Sequence, residues 1–202
     1  MSSRDEILAS IREHLPRVER PLPFVPLFDD VPPASLLTAF KASLERMGGL
    51  WLDAPASGDV LSAVRIRFAE ARVICSTVPE VVGNLDISAV DVPRDLANVD
   101  IAVVRASFAV AETGSVLLSE QDLHVNAVAY LAQHLIVLLD PADIVINLHH
   151  AYRRPEFRVC HYASFHTGPS ATADIEGVLI HGAQGVRSLT VIPIARRTFN
   201  NV

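Results

Sequence analysis

Four short runs of aliphatic residues constrain this chain more than any other feature. They are Arg72-Val-Ile-Cys-Ser76, Asp100-Ile-Ala-Val-Val104, His134-Leu-Ile-Val-Leu-Leu139 and Ser188-Leu-Thr-Val-Ile-Pro-Ile194. Successive rather than alternate residues are apolar, as in strands buried on both faces. Between them lie segments of helical periodicity, which predicts an α/β fold with a largely parallel sheet flanked by helices. A helix is expected from about Ser35 to Met47, stopped by Gly48-Gly49, and another over 58–71 with Val60, Leu61, Val64, Ile66 and Phe68 as its apolar set. Leu50-Trp51-Leu52 reads as a short strand. Phe108 to Leu118 reads as a hairpin-like pair around Glu112-Thr113-Gly114.

With 202 residues, half of them apolar and 20% charged, the chain is long enough for one sizeable core. A net charge of −6 with scattered basic residues, Arg196-Arg197 among them, argues against nucleic acid. Met1 to Glu6 has no apolar run fit for a signal peptide. The longest uncharged stretch, Leu123 to Leu139, is interrupted by His124, Asn126, Gln133 and His134 and splits into a helix and a strand rather than a membrane span. The expected location is cytoplasmic. Cys75 and Cys160 lie far apart, which suits buried thiols and falls short of the four ligands of a conventional iron–sulfur cluster.

The first 33 residues read as a separate arm ahead of a domain over 34–202. Ser3-Arg-Asp-Glu6 has capping-box spacing, followed by Ile7, Leu8, Ile11 and Leu15 on one helix face. This helix can either dock a partner or fold onto its own domain. From Pro16 to Pro33 six prolines mark an extended connector.

Chemistry-bearing residues gather at two places. Gly168-Pro169 signals a turn, Ser170 and Thr172 are good helix caps, and Asp174 and Glu176 would fall in the first turn of a helix carrying Ile175, Val178 and Leu179 on one face. Gly182 and Gly185 would end it. That reading allows either a well-capped connecting helix or an anion site at its N-terminus, with Arg187 placed to hold a carboxylate or phosphate. At the hairpin, Glu112 beside Thr113 and Gly114 can serve as base, nucleophile or ligand anchor, or simply cap a neighbouring backbone group. His149, His150, His161, His166 and His181 concentrate late in the chain without a metal-ligand spacing, and no metal site is expected. His149 and His150, if extended, would point to opposite sides. His166 and His181 bracket the expected helix and could line an anion pocket.

Thr172-Ala-Asp-Ile-Glu176 with Gly182-x-x-Gly185-x-Arg187, together with Ala111-Glu-Thr-Gly-Ser115, resembles the lactate-utilization (LUD) domain family, within it the short lactate utilization protein C group. The resemblance covers roughly residues 35–195; the chain departs from the family pattern at Val186 and at Asn126, Ala132 and Gln133. The family is similar in fold to the NagB/RpiA/CoA-transferase group, in which a Glu-x-Gly turn supplies a nucleophilic glutamate, and Glu112-Thr-Gly114 resembles that turn. The resemblance implies a subunit of an L-lactate-oxidising system, itself without a cofactor. Iron–sulfur clusters are then expected in partner subunits, and this chain binds a small anionic ligand or a partner. Ligand contacts are expected at Thr113, Gly114, Ser170, Thr172, Asp174, Glu176, Gly182, Gly185 and Arg187, in one pocket shared with Glu112. The alternatives are an autonomous CoA-transferase-like, phosphosugar-isomerase-like or folate cyclo-ligase-like enzyme, using Glu112 in the transferase case, and a pure scaffold.

Overall fold

The computed structural model describes residues 2–16 and 21–196; Arg197 and residues 17–20 of the connector lie outside them. In chain order the elements are α1 (Ser3–His14), α2 (Leu36–Arg46), β1 (Leu50–Trp51), α3 (Val60–Arg67), β2 (Ile74–Ser76), β3 (Ile101–Arg105), β4 (Phe108–Val110) and β5 (Ser115–Ser119). There follow α4 (Glu120–Leu123), α5 (Val128–Leu131), β6 (His134–Leu139), β7 (Ile144–Val145), α6 (Leu148–Ala151), α7 (Glu156–Val159), β8 (Ala163–His166), β9 (Ala171–Thr172), β10 (Ile180–His181) and β11 (Ser188–Pro193).

The apolar runs form a five-stranded sheet in the order β1-β11-β6-β3-β2, parallel throughout. Alternate residues of these strands feed two cores. Ile101, Val103, Ile136, Leu138 and Ile192 pack with Val60 and Val64 of α3. On the other face Ala102, Val104, Leu135, Val137 and Val191 meet Phe40 and Leu44 of α2 and Val128 of α5. A second sheet, β7-β4-β5-β8, lies over that second face. Its β4–β5 pair is the expected hairpin, with Val110 opposite Ser115. The hairpin's outer face, Phe108, Val110 and Leu117, packs on Ala151 of α6, Phe157 of α7 and Phe165. The fold class read from the sequence is therefore the one found: a mostly parallel central sheet flanked by helices.

Three local expectations need correction. The capping box of α1 is Ser2 with Asp5, one residue earlier than Ser3 with Glu6: the Asp5 carboxylate accepts from the Ser2 amide at 3.1 Å and the Ser2 hydroxyl accepts from the Asp5 amide at 3.4 Å. No residue of α1 is buried, so its stripe of Ile7, Ile11 and Leu15 does not fold onto the domain. His149 and His150 lie on α6 instead of an extended segment.

The largest departure is the segment after Gly168, which is a β-hairpin and not a helix. Thr172 pairs antiparallel with Ile180, and Ala171 with His181. Glu176 and Gly177 both have positive φ, 54° and 70°, the central pair of a type I′ turn closed by the Val178 amide on the Ile175 carbonyl at 3.1 Å. Ile175, Val178 and Leu179 have the spacing of a buried helix face yet are 50%, 59% and 62% exposed. Without a surface to cover them, so short a helix gains nothing from packing, and strand pairing wins.

Candidate functional site

The Glu112 turn is built by close approach of backbones. Gly114 has φ +70°, and a Cβ there would overlap the backbone of Ser43 and Leu44 in α2. Only glycine meets both demands. The buried Ser43 hydroxyl donates to the Glu112 carbonyl at 3.1 Å and accepts from Arg46 at 2.9 Å, fixing α2 to the turn. From Thr113 a chain of hydroxyls runs to Ser115 (2.7 Å) and on to Thr167 (2.6 Å), just ahead of Gly168. Gly168 in turn packs on the Met47 carbonyl. The turn at 112–114 and the turn at 168 thus share one support, the C-terminal end of α2.

The Glu112 side chain is exposed, and one of its oxygens accepts from the Leu148 amide at 3.2 Å, at the start of α6. The carboxylate does cap a neighbouring backbone group, and its second oxygen has no donor among the described residues. Beside it Asn147, 5% exposed, donates to the carbonyls of Leu27 (2.7 Å) and Phe28 (3.1 Å). Asp29 and His150 approach to 3.0 Å. The last part of the proline-rich arm is therefore held next to the Glu112 turn.

The remaining predicted residues divide into two groups. Ser170, Gly182, Gly185 and Arg187 lie together: the Gly182 amide donates to the Ser170 carbonyl at 2.6 Å, and a Cβ on Gly185 would meet the Ser170 side chain. Gly182, Gly185 and Arg187 line a cleft of about 320 Å³ with Tyr130 and Gln133. Thr172, Asp174 and Glu176 instead sit on the projecting hairpin, where the Thr172 hydroxyl accepts from the Asp174 amide at 3.2 Å. Glu112, Asp174 and Glu176 line none of five clefts found among the described residues.

Arg187 also borders a second cleft, about 280 Å³, at the amino ends of β3 and β6, with Arg67, His134 and Asp100. Neither Arg67 nor Arg187 has a carboxylate within ion-pair distance among the described residues. Burial lowers the His134 pKa, and the Arg187 guanidinium lowers it further against the opposing pull of Asp100. The Asp100 carboxylate is itself occupied, accepting from the amides of Val73 at 2.9 Å and Arg72 at 2.8 Å, which hold it below the usual carboxylate range. The cleft thus presents two free guanidinia and a neutral imidazole. His166 is pushed down by burial to about 4 and is uncharged at neutral pH, as His134 is.

A third cleft, about 380 Å³, was missed by sequence reasoning. It opens at the carboxyl ends of β2 and β3, the end where open α/β sheets place their ligands. Arg105 and Glu80 meet there at 2.6 Å, each side chain 13% exposed, with Gln121, Asp122 and Arg196 on the rim. Four places far apart in the chain contribute (Glu80, Arg105, Gln121-Asp122 and Arg196), and each reads singly as ordinary polar sequence.

Cys75 lies buried within β2, and burial, with Asp86 nearby, pushes its thiol up to about 11; Cys160 is half-buried, and both are free thiols. No helix among the described residues is long and apolar enough to cross a membrane.

A parallel sheet backed by a second, mainly antiparallel one defines an α/β domain whose clefts open at both ends of the parallel strands. Residues 70–194 match the LUD domain family, and the chain belongs to that family. A DUF162 family protein from Deinococcus radiodurans shares the fold with a TM-score of 0.59 at 16% identity, over 81% of this chain and all of that one. The chain matches no curated protein.

Proposed function

We propose that this chain serves lactate utilization as a cluster-free component that binds a small carboxylate, with electron transfer carried by iron–sulfur partner subunits. Membership of the LUD family supplies the context. The observation that carries the ligand class is the pairing of Arg67 and Arg187 across a cleft beside neutral His134, with no internal carboxylate engaging either guanidinium among the described residues. A ligand carboxylate can take a forked pair of hydrogen bonds from an arginine, and two such groups favour an anion over a neutral molecule. With two cysteines in the sequence the chain falls short of the four thiolates of a conventional cluster, which supports placing the redox chemistry in partners. A finer assignment to the lactate utilization protein C group rests on the motifs at 111–115 and 172–187.

Anaerobic purification of the tagged full chain from its native cells tests this reading. Iron-containing partners and lactate-dependent dye reduction in the same fraction are expected. An iron-free protein with no partner and no lactate oxidation would overturn it.

A second reading, acyl transfer through Glu112, is favoured by one observation. The carboxylate is exposed with one oxygen free, while the Leu148 amide orients the other. Turnover of an acyl-CoA by the isolated chain would select this reading.

A further inference from the structure

We propose that His134 decides which carboxylates the amino-end cleft accepts: its Nε2 contacts an oxygen on the carbon next to the carboxylate, so that acids oxygenated at C2 are preferred to unsubstituted ones. This rests on the carboxylate reading of the same cleft.

The imidazole is fixed before any ligand arrives. Strand register places Ser188 of β11 beside His134 of β6, and the Ser188 hydroxyl shares a hydrogen bond with Nδ1 at 2.8 Å. The Phe68 ring, at the end of α3, lies against the imidazole with 4.3 Å between centroids. The backbone is pinned as well, since the His134 amide donates to the Asp100 carbonyl at 2.9 Å. One ring nitrogen and one ring face are thus committed to the protein. Among the described residues Nε2 has no hydrogen-bond partner, and His134 lines the cleft.

The same strands bring Arg187 to this ring. Its amide donates at 2.7 Å to the carbonyl of Gln133, the residue before His134. Arg187 and Arg67 both lie near enough to bear on the charge of the imidazole, and all three side chains line one cleft of about 280 Å³. A carboxylate held by these arginines therefore has its neighbouring carbon beside His134.

With Nδ1 occupied, Nε2 is the one polar atom of the ring left to a ligand. In the neutral imidazole it is either an N–H donor or a lone pair, according to which nitrogen carries the proton. A hydroxyl donates and accepts, so a 2-hydroxy acid satisfies both forms. A methylene group satisfies neither and strips the nitrogen of water without replacing the contact. A site that hydrogen-bonds a ligand oxygen rejects the analogue lacking it more strongly than an apolar pocket rejects a missing methylene. Because Ser188 and Phe68 already hold the ring, little side-chain freedom is lost on binding.

Titration of the full chain with L-lactate and with propionate, the same acid without the hydroxyl, tests the assignment by amide NMR at pH 7. Saturable shifts at His134, Arg187 and Ser188 are expected for both, with propionate at least about tenfold weaker. His134→Phe keeps an aromatic ring against Phe68 and removes both nitrogens. In that variant L-lactate should fall to the affinity of propionate, while propionate itself changes by less than about threefold. Ser188→Ala is a second variant, which frees the ring and should narrow the ratio between the two acids; the comparison in the parent needs no variant at all. The proposal is overturned if propionate matches L-lactate in the parent, if His134→Phe keeps the discrimination, or if that variant weakens both acids alike, as a purely structural role would. Equal binding of the two acids that Arg187→Ala abolishes removes His134 alone. If neither acid gives saturable shifts, the carboxylate reading falls with it.

Discussion

Gly114 lies against the backbone of Leu44 so closely that no side chain fits between them. This contact sets the distance between the Glu112 turn and α2, and through Ser43 it also sets where the Glu112 carbonyl points. Gly114→Ala should cost about 2–4 kcal/mol, from left-handed backbone strain and displacement of the helix. Urea unfolding of the two proteins measures it, and a loss below about 1 kcal/mol would show that α2 moves aside freely.

Removing one guanidinium from the amino-end cleft should uncouple the protein from small carboxylates. L-Lactate is expected to raise the melting temperature of the parent protein by mass action, and Arg187→Ala should abolish most of that rise. Arg67→Ala should reduce it in the same direction. Equal ligand-induced shifts in all three proteins would place the anion elsewhere.

Glu112→Gln separates structure from chemistry. The amide oxygen can still accept from the Leu148 amide, so stability should change by less than about 1 kcal/mol. Acyl-CoA turnover, if the chain has it, should vanish in the same variant, since an amide is no nucleophile. Residual acyl transfer above a tenth of the parent rate would remove Glu112 from the chemistry.

His166 should make stability fall with acid. Its folded pKa is about 4, below the ordinary value of 6.5, because burial disfavours the imidazolium. Between those values the unfolded chain binds more protons than the folded one, so the contribution is complete above 6.5 and is lost as pH falls to about 4. The loss is on the order of 3 kcal/mol. His134, also lowered, acts in the same sense. Denaturation of His166→Phe at pH 7 and pH 4.5 should show a visibly flatter dependence than the parent. An unchanged slope would mean that His166 protonates in the folded state.

Asn147 holds the arm to the domain. Asn147→Ala loses the two bonds to Leu27 and Phe28 and the cap on the His150 amide, a combined cost of about 2–3 kcal/mol. Limited proteolysis should then cut near residues 24–30 faster than in the parent. Equal cutting rates would show that Asp29 with His150 suffices.

The sheet was legible because its strands are buried on both faces, so that Val103 and Val104 are both apolar although they point into different cores. The hairpin at 108–119 was legible from Gly114 between two apolar runs. The segment 170–181 was not: Ile175, Val178 and Leu179 mimic the spacing of a buried helix face, and sequence spacing carries no information on whether a surface exists to bury it. Arg187 could be singled out, whereas its companion Arg67 could not, because only the parallel pairing around β6 brings the end of α3 beside the start of β11. The same limit hid Glu80, Arg105, Asp122 and Arg196, whose proximity is a product of tertiary folding alone.

The position of β11 has a consequence for biosynthesis. This strand, the last in chain order among the described residues, lies between β1 and β6 instead of at an edge. Until Pro193 has been made, Leu50 and Trp51 have no neighbour to pair with, and the flank of β6 stays open as an unpaired edge. β2, β3 and β6 can assemble in chain order, but β1 cannot join them until β11 has been made, and that closure joins Leu50 to Thr190, 140 positions apart (190 − 50). Slow folding and a window of vulnerability to edge-to-edge aggregation follow from that order.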